Sequence, residues 1–458
     1  MKKLQSTNPA KGYEIIGEVN ETTLDEVVLA VSNAQKAFNP WRGFSIEKRI
    51  SYFNKLIKVY NKRADEMANI QTQEVGKPIT QSKENVKRDI TRIKHNLLVA
   101  PQHLDPEIID QSDTQINKVF FEPYGVMAVI IPWNYPSSNF FVATTQAILA
   151  GNTIVFKHSE ECPLTSQLIE KMFKEAGFPK GVLNVVYGDG RVGQMLVDQD
   201  IDMIHFTGSS RVGEYLYQVA AKKFIPVILE MGGSSPGILF ADADLDQAIN
   251  SVCLERYSNC GQICCALKRL IVHQDVYDQV VKRVTDQVKS MKIGDPLKQD
   301  TFVGPLVSKR QLILLEEQIK DAVDKGAKVK CGGHRPEGLE GAYYSPTVLT
   351  DVTKNMKVYY EEVFGPVLTI IPFTTEEEAI KLANNTIYGL SAYVYTNDLE
   401  KADRVVAQLE AGNISINGAS YFSDNSPFGG YKRSGMGSNN GKFGFRQVTR
   451  MKSVGRPK

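Results

Sequence analysis

The chain has 458 residues, of which 42% are hydrophobic and 23% are charged, and its formal net charge is +2 at pH 7. This near-neutral and scattered charge excludes the basic patterns that are typical of nucleic-acid or acidic-membrane partners. A chain of this length also exceeds what one hydrophobic core organises, so two or three domains are expected.

The N-terminus and the cysteine content together predict a cytoplasmic protein with reduced thiols. No apolar stretch follows Lys2 and Lys3, so a secretory signal is not expected. No window reaches the roughly 18 uninterrupted apolar residues that a membrane helix needs. Six cysteines are too few for a disulfide scaffold in a chain of this length.

In chain order, the first predicted elements are helices, within residues 22–100, where a Thr cap precedes apolar residues at helical spacing. From residue 118, Val- and Ile-rich runs alternate with amphipathic stretches, which predicts a parallel, doubly wound α/β sheet. The same alternation returns after residue 240 and predicts a second α/β domain. The C-terminal tail, with "SPFGGYKRSGMG", is Gly-rich and then extended.

Two glycine corners compete for a phosphate-binding role, because such sheets bind ligands beyond the carboxyl ends of their strands. Each follows a predicted strand and opens a helix, and each fits a plain corner equally well. The first corner, "GDGRVG", has the dinucleotide-binding spacing G-x-G-x-x-G but lacks the usual acidic residue about 20 positions later. The first corner comprises Gly188, Gly190 and Gly193, and the second comprises Gly208, Ser209 and Gly213.

Two polar side chains also follow apolar strands. In "PWNYP" two prolines stiffen the loop around Asn134, whose amide is suited either to an oxyanion or to an Asx-turn. In "LEMGGSSP" a carboxylate, Glu230, ends a buried strand. That position suits a general base with a raised pKa, or equally a helix cap or an ion pair.

Three cysteines lie close together in "NCGQICCALKR". Cys260 and Cys264 have metal-ligand spacing, but no second Cys/His cluster accompanies them, so a metal site is not expected. A disulfide between them would need local rearrangement if the segment is helical. Inert buried thiols remain one alternative. The other is a nucleophile at a loop-to-helix junction, because "CCALKRLIV" has a helical pattern.

Six motifs occur in one order along the chain: "PWNYP", "HFTGSSRVG", "LEMGGSSP", "GQICC", "EEVFGPV" and "SPFGGYKRSGMG". Together they resemble the NAD(P)-dependent aldehyde dehydrogenase superfamily nearly end to end. The resemblance implies an α/β fold with two doubly wound, Rossmann-like parallel-sheet domains and a small β extension for oligomerisation. It places the NAD-binding domain at 1–103 and 124–230, the catalytic domain at 231–446, and the oligomerisation strands at 104–123 and 447–458.

The same resemblance assigns roles to residues of this chain. Cys264 resembles the nucleophile, Asn134 with the Cys264 backbone N–H resembles the oxyanion hole, and Glu230 resembles the base that activates water. Cys265 is expected to be a packed neighbour, and Cys260 a bystander or a redox partner of Cys264. The expected cofactor contacts, with "GDG" now near the adenine, are Trp133, Lys157, Glu160, Gly188, Gly208, Ser209, Gly213, Glu362 and Phe364.

The resemblance implies oxidation of an aldehyde to a carboxylic acid through a thiohemiacetal and a thioester on Cys264. Glu160 favours NAD over NADP, because its carboxylate accepts from a ribose 2′-OH and repels a 2′-phosphate. Other expectations are a homodimer or homotetramer and no nucleic-acid or membrane partner. A CoA-acylating enzyme and a catalytically silent member are alternatives; Glu230 argues against the first, and the intact Cys264, Glu230 and Asn134 against the second. Without the resemblance a Cys hydrolase would also be a candidate, but no His near a plausible partner loop is evident.

Two departures from the family pattern stand out. Ser234 occupies a position where the family usually has Lys, and Ser438-Asn439 replace a usual Arg-Glu. Neither is expected to touch the core chemistry. The context of Ser234 resembles the short succinate-semialdehyde dehydrogenase branch. A substrate with a distal carboxylate needs a cation, and Arg256 and Arg92 are the candidates.

Overall fold

The structure is a computed structural model that describes residues 2–458. Helices alternate with short strands through most of the chain, as the apolar pattern predicts. The helices are α1 Leu24–Arg42, α2 Ile46–Lys62, α3 Ala64–Val75, α4 Ile79–Leu104, α5 Pro136–Ala150, α6 Pro163–Glu175, α7 Gly190–Val197, α8 Ser210–Lys223, α9 Leu245–Tyr257, α10 Tyr277–Lys289, α11 Lys309–Asp324, α12 Lys357–Tyr360, α13 Glu376–Asn384, α14 Leu399–Val406 and α15 Gly441–Gln447.

The strands are mostly short and apolar, as buried strands of parallel sheets are. They are β1 Lys3–Asn8, β2 Glu14–Asn20, β3 Glu107–Gln111, β4 Gln115–Pro123, β5 Val126–Ile131, β6 Thr153–His158, β7 Leu183–Val186, β8 Met203–Thr207, β9 Val227–Glu230, β10 Ser235–Leu239, β11 Leu267–His273, β12 Lys328–Cys331, β13 Thr347–Thr350, β14 Val367–Phe373, β15 Tyr388–Gly389, β16 Ser391–Tyr395, β17 Asn413–Ile416, β18 Tyr431–Lys432, β19 Gly435–Met436 and β20 Thr449–Pro457.

The first large sheet has the order β19-β9-β8-β5-β6-β7. Its five longer strands run parallel, and only β19 is antiparallel to its neighbour. The strand order reverses at β5, between β6 and β8, and ligands of doubly wound sheets bind at such a reversal. Apolar side chains of the sheet, α1 and α4 to α8 pack on its two faces.

The second large sheet has the order β12-β13-β14-β11-β10-β16-β17 and is parallel except for β12. Helices α9 and α10 pack on one side of it and α13 and α14 on the other. The expected α/β architecture with two doubly wound sheets is therefore confirmed. Strand β19 returns from the C-terminal part of the chain to pair with β9, so the tail contributes to the first sheet.

A separate three-stranded antiparallel sheet, in the order β20-β4-β3, forms in the two segments where oligomerisation strands are expected. The domain boundaries themselves and the role of this sheet stay predictions. Within residues 2–458, no helix combines the length and the apolar character that crossing a membrane requires.

Candidate active site

The carboxyl ends of three neighbouring strands of the first sheet bring candidate residues to one edge. Asn134 follows β5, Ser209 follows β8, and Glu230 is the last residue of β9. These ends meet at one edge because β5, β8 and β9 are adjacent and parallel. The Cys264 turn, residues 258–266 between α9 and β11, lies beside this edge, because Asn134 Nδ2 donates to the Gln262 carbonyl. We call the region between this edge and the Cys264 turn the cleft.

Cys264 lies in a turn between a helix and a strand, so the expected loop-to-helix junction is wrong. Helix α9 ends at Tyr257, a 3₁₀ turn covers Ser258–Gly261, and β11 begins at Leu267. The segment "CCALKRLIV" reads as helical because a strand buried on both faces, like β11, shows no alternation. The pKa of Cys264 is therefore not lowered by a following helix N-terminus.

The turn before Cys264 is left-handed over three successive residues. Asn259 has φ 49°, Cys260 has φ 55° and Gly261 has φ 70°. Such a conformation costs energy at non-glycine residues and persists only where the surroundings hold it. At Gly261 an added Cβ would collide with the Gly365 carbonyl. The backbone here is fixed by its neighbours, which gives Cys264 a defined position.

Hydrogen bonds tie this turn to the loop that carries Asn134. Asn134 Nδ2 donates to the Gln262 carbonyl at 3.0 Å, and Asn259 Nδ2 donates to the Asn134 carbonyl at 3.0 Å. Asn139 Nδ2 donates to Asn134 Oδ1 at 3.1 Å and so orients the Asn134 amide. Because an amide carries two N–H donors, Asn134 keeps one for a ligand. The loop that carries Asn134 is therefore in direct contact with the Cys264 turn.

Glu230 is 5% exposed, and its carboxylate has a single hydrogen-bond partner among the described residues. Asn439 Nδ2 donates to Oε1 at 2.9 Å, while Oε2 is buried without a partner. Burial, and then the nearby Cys264, raise the pKa of Glu230. The expectation that Ser438-Asn439 leave the core chemistry untouched is wrong, because Asn439 contacts the candidate base directly.

Residue Cys264 is less buried than Cys260 and Cys265. A hydrogen bond with the Cys265 thiol and burial raise the pKa of Cys264, and the Lys268 ammonium opposes this rise. Cys260 lies among apolar side chains that include Val303, Leu306 and Leu315, and burial raises the pKa of its thiol. All six cysteines are free. The redox pairing of Cys260 with Cys264 stays a prediction.

Lys157 and Glu160 lie where β6 ends, beside the same edge of the sheet. Lys157 is buried, which lowers its pKa, and its Nζ lies 3.9 Å from Glu160 Oε2. Two further charges were not anticipated from the sequence. Burial raises the pKa of Glu161 to about 7, and Arg310 Nη2 reaches Glu160 Oε1 at 3.9 Å. We call these residues, Lys157, Glu160, Glu161 and Arg310, the ribose corner.

Ser209 caps α8 without a side-chain hydrogen bond to the helix. Its exposed hydroxyl and the first N–H groups of α8 therefore face outward, an arrangement that suits a phosphate oxygen. Gly213 lies one turn into α8, where an added Cβ would collide with Met231. Gly208 precedes Ser209 and packs against Phe206. The first glycine corner lies at the other end of the sheet, where Gly188 follows β7.

Glu362 and Phe364 come from the loop between α12 and β14 and lie across the cleft. Phe364 packs edge-on against Trp133, with ring centroids 5.5 Å apart. Glu362 Oε1 accepts from the Gly233 N–H at 3.1 Å and from Lys268 Nζ at 2.8 Å. An added Cβ at Gly233 would lie only 2.7 Å from the Cys264 carbonyl oxygen. The Gly-Gly pair therefore lets Glu362 and the Cys264 turn approach each other.

The polar groups at this edge of the sheet suit a nicotinamide dinucleotide. A helix N-terminus with free N–H groups suits the pyrophosphate, and the Lys157–Glu160 pair suits ribose hydroxyls. Glu362 offers a second carboxylate for a ribose, and it lies beside the Cys264 turn. Within residues 2–458 no cluster of three His, Cys, Asp or Glu side chains is placed to hold a metal ion.

The prediction that Arg256 meets a substrate carboxylate is wrong. Its guanidinium is fully buried and donates to backbone carbonyls, those of Val367 at 2.6 Å, Val363 at 3.1 Å and Gly365. Arg256 thus holds the loop that carries Glu362 and Phe364. Arg92 on α4 is only 8% exposed, and its Nε lies 3.3 Å from Asp424 Oδ1.

Comparison with known proteins agrees with this geometry. The sequence model of the aldehyde dehydrogenase family matches residues 1–454. Relatives include an aldehyde dehydrogenase of Emericella nidulans (40% identical over 99% of this chain and 91% of the relative), a betaine aldehyde dehydrogenase of Bacillus subtilis (36%, 96% and 91%), and a probable NADP⁺ succinate-semialdehyde dehydrogenase of Sinorhizobium fredii (34%, 97% and 91%).

Solved structures give the same answer. An NADP-dependent enzyme of E. coli matches with a TM-score of 0.96, 33% identity, and 100% and 95% of the two chains covered. An aldehyde dehydrogenase of Bacillus cereus, solved as an NAD⁺ complex, matches with a TM-score of 0.96, 35% identity, and 100% and 93% covered. By its fold, its sequence and the arrangement of its cleft, the chain belongs to the aldehyde dehydrogenase family.

Proposed function

We propose that this aldehyde dehydrogenase uses Cys264 as its nucleophile, Asn134 as an oxyanion donor and Glu230 as its base. One observation carries the proposal: Asn134 is hydrogen-bonded to the Cys264 turn, at the carboxyl edge of the sheet where Glu230 also ends its strand. Nucleophile, oxyanion donor and base thus converge, as acyl-transfer chemistry requires.

In this mechanism the Cys264 thiolate attacks the carbonyl carbon of the aldehyde and forms a thiohemiacetal. The free N–H of Asn134 Nδ2 and the Cys264 backbone N–H donate to its oxyanion. A nicotinamide cofactor in the oxidised state would supply the acceptor for the hydride that the thiohemiacetal carbon loses when it becomes a thioester on Cys264. Glu230 then takes a proton from the water that hydrolyses the Cys264 thioester, and the carboxylic acid leaves. The buried Glu230 Oε2, which has no partner among the described residues, is the oxygen available for that proton.

For the cofactor, we infer that NAD is preferred and that NADP is used less efficiently. Trp133 and Phe364 would hold the nicotinamide end, and Glu362 its ribose. Ser209, Gly208 and Gly213 would hold the pyrophosphate, and Gly188 would lie on the adenine side. Glu160 disfavours a 2′-phosphate, although Arg310 and Lys157 offset part of its charge. A kcat/KM ratio that favours NADP would contradict this preference.

For the substrate, we propose a short semialdehyde with a distal carboxylate, such as succinate semialdehyde. The Sinorhizobium fredii relative supports it, as does Arg92 on α4, with Arg88 one turn away. Asp424 already pairs with Arg92, so a substrate carboxylate has to share or replace that contact. Cytoplasmic location stays a prediction from the sequence.

A second candidate is a cationic aldehyde, because acidic and aromatic groups also lie beside Cys265, the residue after Cys264. The Tyr393 hydroxyl donates to the Cys265 carbonyl at 2.8 Å. Glu255 accepts from the Tyr393 hydroxyl at 3.1 Å, and the Tyr393 hydroxyl lies 3.2 Å from that of Tyr421. Aromatic faces with a nearby carboxylate attract quaternary ammonium groups. The Bacillus subtilis relative, a betaine aldehyde dehydrogenase, is named for such a substrate.

The deciding experiment is a panel of neutral, anionic and cationic aldehydes assayed with NAD and with NADP at the absorbance band of the reduced nicotinamide. We expect the highest kcat/KM for succinate semialdehyde with NAD. A higher value for betaine aldehyde selects the second candidate. Parallel assays with and without CoA exclude a CoA-acylating enzyme if CoA leaves the rate unchanged. No turnover with any aldehyde would overturn the proposed function.

We further infer that the sheet of β3, β4 and β20 joins subunits into a homodimer or homotetramer. It leaves Ile108, Ile109 and Met451 exposed, and exposed apolar side chains grouped on one sheet indicate an interface. Light scattering on the eluting protein measures the mass directly. A monomer would contradict the inference.

A further inference from the structure

Lys268 is a buried lysine for which the proposed mechanism has no role. It is the second residue of β11, and it is only 2% exposed. Lysine is almost never buried to this degree unless it is paired, because removing an ammonium ion from water is costly. The hydrogen-bond acceptors of Lys268 therefore indicate the role of its positive charge.

The ammonium group of Lys268 has three N–H donors, and the surrounding chain supplies one acceptor for each. Lys268 Nζ donates to Glu362 Oε1 at 2.8 Å, to the Cys264 carbonyl at 3.3 Å and to the Gly233 carbonyl. Each acceptor belongs to a different segment of the chain. One segment carries the proposed ribose ligand Glu362, one carries the proposed nucleophile, and the third is the Gly-Gly turn after Glu230.

The neighbouring Arg269 shows what a purely structural cation looks like in the same strand. It is fully buried, and it donates to the carbonyls of Ser234, Leu382 and Ala383. None of those groups belongs to the cleft residues described above. Lys268 differs because its partners include a carboxylate and the backbone of Cys264.

The contacts of Lys268 offer an explanation for the serine at position 234, where the family usually has a lysine. Ser235 pairs with Leu267 between β10 and β11, so positions 234 and 268 flank one registered pair. Lys268 contacts the Gly233 carbonyl, and Arg269 contacts the Ser234 carbonyl. The ammonium group of Lys268 on β11 thus lies near position 234, immediately before β10, where the family usually has a lysine.

We propose that Lys268 is a positioning residue that joins Glu362 to the Cys264 turn and whose positive charge favours the Cys264 thiolate over the thiol. The inference rests on the proposed roles of Cys264 and Glu362. Glu362 acts in the opposite sense, because its carboxylate neutralises the ammonium and lies near the thiol. The Cys265 thiol and burial raise the pKa of the Cys264 thiol, Lys268 lowers it and Glu362 raises it. Glu230 is a further titratable group near Cys264, and the presence of Cys264 raises the pKa of Glu230.

Two substitutions at this pair should therefore move the reactivity of Cys264 in opposite directions. Lys268→Met removes the charge and keeps most of the side-chain volume. Glu362→Gln removes the countercharge and keeps the shape of the carboxylate. Lys282→Met, on α10 and exposed with an ion pair to Asp286, is the matched control for the lysine change.

The measurement is the rate at which iodoacetamide alkylates Cys264, followed by site-resolved mass spectrometry between pH 6 and 10 with no cofactor or aldehyde present. We expect Lys268→Met to slow alkylation at pH 7 by about tenfold, a factor equivalent to 1.4 kcal/mol, and to move its profile to higher pH. Glu362→Gln should move the profile to lower pH, the double variant should lie between the two, and Lys282→Met should match the wild type.

Thermal melting of each variant separates loss of folding from loss of positioning. If Lys268→Met does not fold, Glu362→Gln decides alone. A folded Lys268→Met or Glu362→Gln variant with the wild-type alkylation profile would overturn the proposal. Because no turnover is needed, failure of the aldehyde panel and failure of this test are distinguishable.

Discussion

The Cys264 turn and the ribose corner are built by different means, although both flank the same cleft. The turn depends on three left-handed residues and on buried hydrogen bonds to the Asn134 loop. The ribose corner depends on charges whose closest approaches are 3.9 Å and 4.0 Å, and Arg310 in it is mostly exposed. One region is fixed by backbone geometry, and the other combines the buried Lys157 with the exposed Arg310 on either side of Glu160.

The difference predicts how each region responds to substitution. A buried turn held in a sparsely populated conformation has no alternative arrangement of similar energy, so changes there act strongly on catalysis or stability. Exposed ion pairs contribute about 1 kcal/mol or less. Changes in the ribose corner should therefore shift cofactor preference by modest factors without loss of the fold.

The largest effect is expected at the nucleophile itself. Cys264→Ser should lower kcat by at least about 10³-fold, because the serine hydroxyl ionises far less readily than a thiol. NAD should still bind, since the proposed cofactor contacts lie outside Cys264. Steady-state kinetics and cofactor titration by fluorescence give the two values.

Cys265→Ser is the matched control, because it makes the same atomic change one residue away. We expect it to retain activity within about tenfold, a range consistent with loss of a packed neighbour. Near-normal turnover of Cys264→Ser would remove Cys264 from the mechanism.

The next largest effect is expected for Glu230→Gln. Without a base the thioester should accumulate, so each site should release one equivalent of reduced cofactor in a burst, followed by a steady rate about 10²-fold lower. Stopped-flow absorbance resolves the burst. Unchanged steady turnover would rule out Glu230 as the base.

The pH dependence sharpens this prediction. Burial raises the pKa of Glu230, and only the ionised carboxylate accepts a proton from water. The steady rate should therefore increase as the pH rises through the raised pKa of Glu230. In Glu230→Gln that increase should be absent.

The sequence predicts the first-sheet wall of the cleft well, and for a simple reason. Asn134, Ser209 and Glu230 each follow an apolar run, and parallel strands bring such ends to one edge without further information. The Cys264 turn is harder, because a buried strand and a buried helix share the same apolar pattern in "CCALKRLIV". The prediction of a helix after Cys264 is wrong for that reason.

Contacts between distant segments could not be predicted at all. Asn439 contacts Glu230 across 209 positions of sequence, and Lys268 contacts Glu362 across 94. Arg256 is predicted to bind a substrate carboxylate from its charge alone, because the sequence does not show that its side chain is buried. A charged residue in a strand-rich, apolar neighbourhood, as in "CCALKRLIV", is the one signal that points to Lys268.

Gly261→Ala tests whether the turn depends on its backbone. The residue has φ 70°, and an added Cβ would meet the Gly365 carbonyl. We expect the free energy of unfolding to fall by about 2 kcal/mol or more, with a matching loss of activity. Gly190→Ala, whose Cβ meets nothing within 4 Å at the start of α7, is the control that should leave thermal stability unchanged or slightly raised.

The smallest effect is expected in the ribose corner. Glu160→Gln removes one negative charge from a group that Lys157 and Arg310 approach at 3.9 Å. We expect the ratio of kcat/KM for NAD to that for NADP to fall by about tenfold, equivalent to 1.4 kcal/mol, because the repulsion of a 2′-phosphate is lost. Glu376→Gln is the control: Glu376 on α13 is a partly exposed carboxylate that pairs with Arg404 on α14, and its loss should leave the ratio unchanged.

Arg310→Gln should move the same ratio in the other direction. Without the guanidinium the charge of Glu160 is less balanced, so NADP should be used less well and the ratio should increase, by about threefold at the strength of an exposed ion pair. High salt should weaken this effect, since exposed charges are screened within about 8 Å at physiological ionic strength. A ratio that does not respond to either variant would mean that the ribose corner does not choose the cofactor, and that the contrast with the Cys264 turn fails on that side.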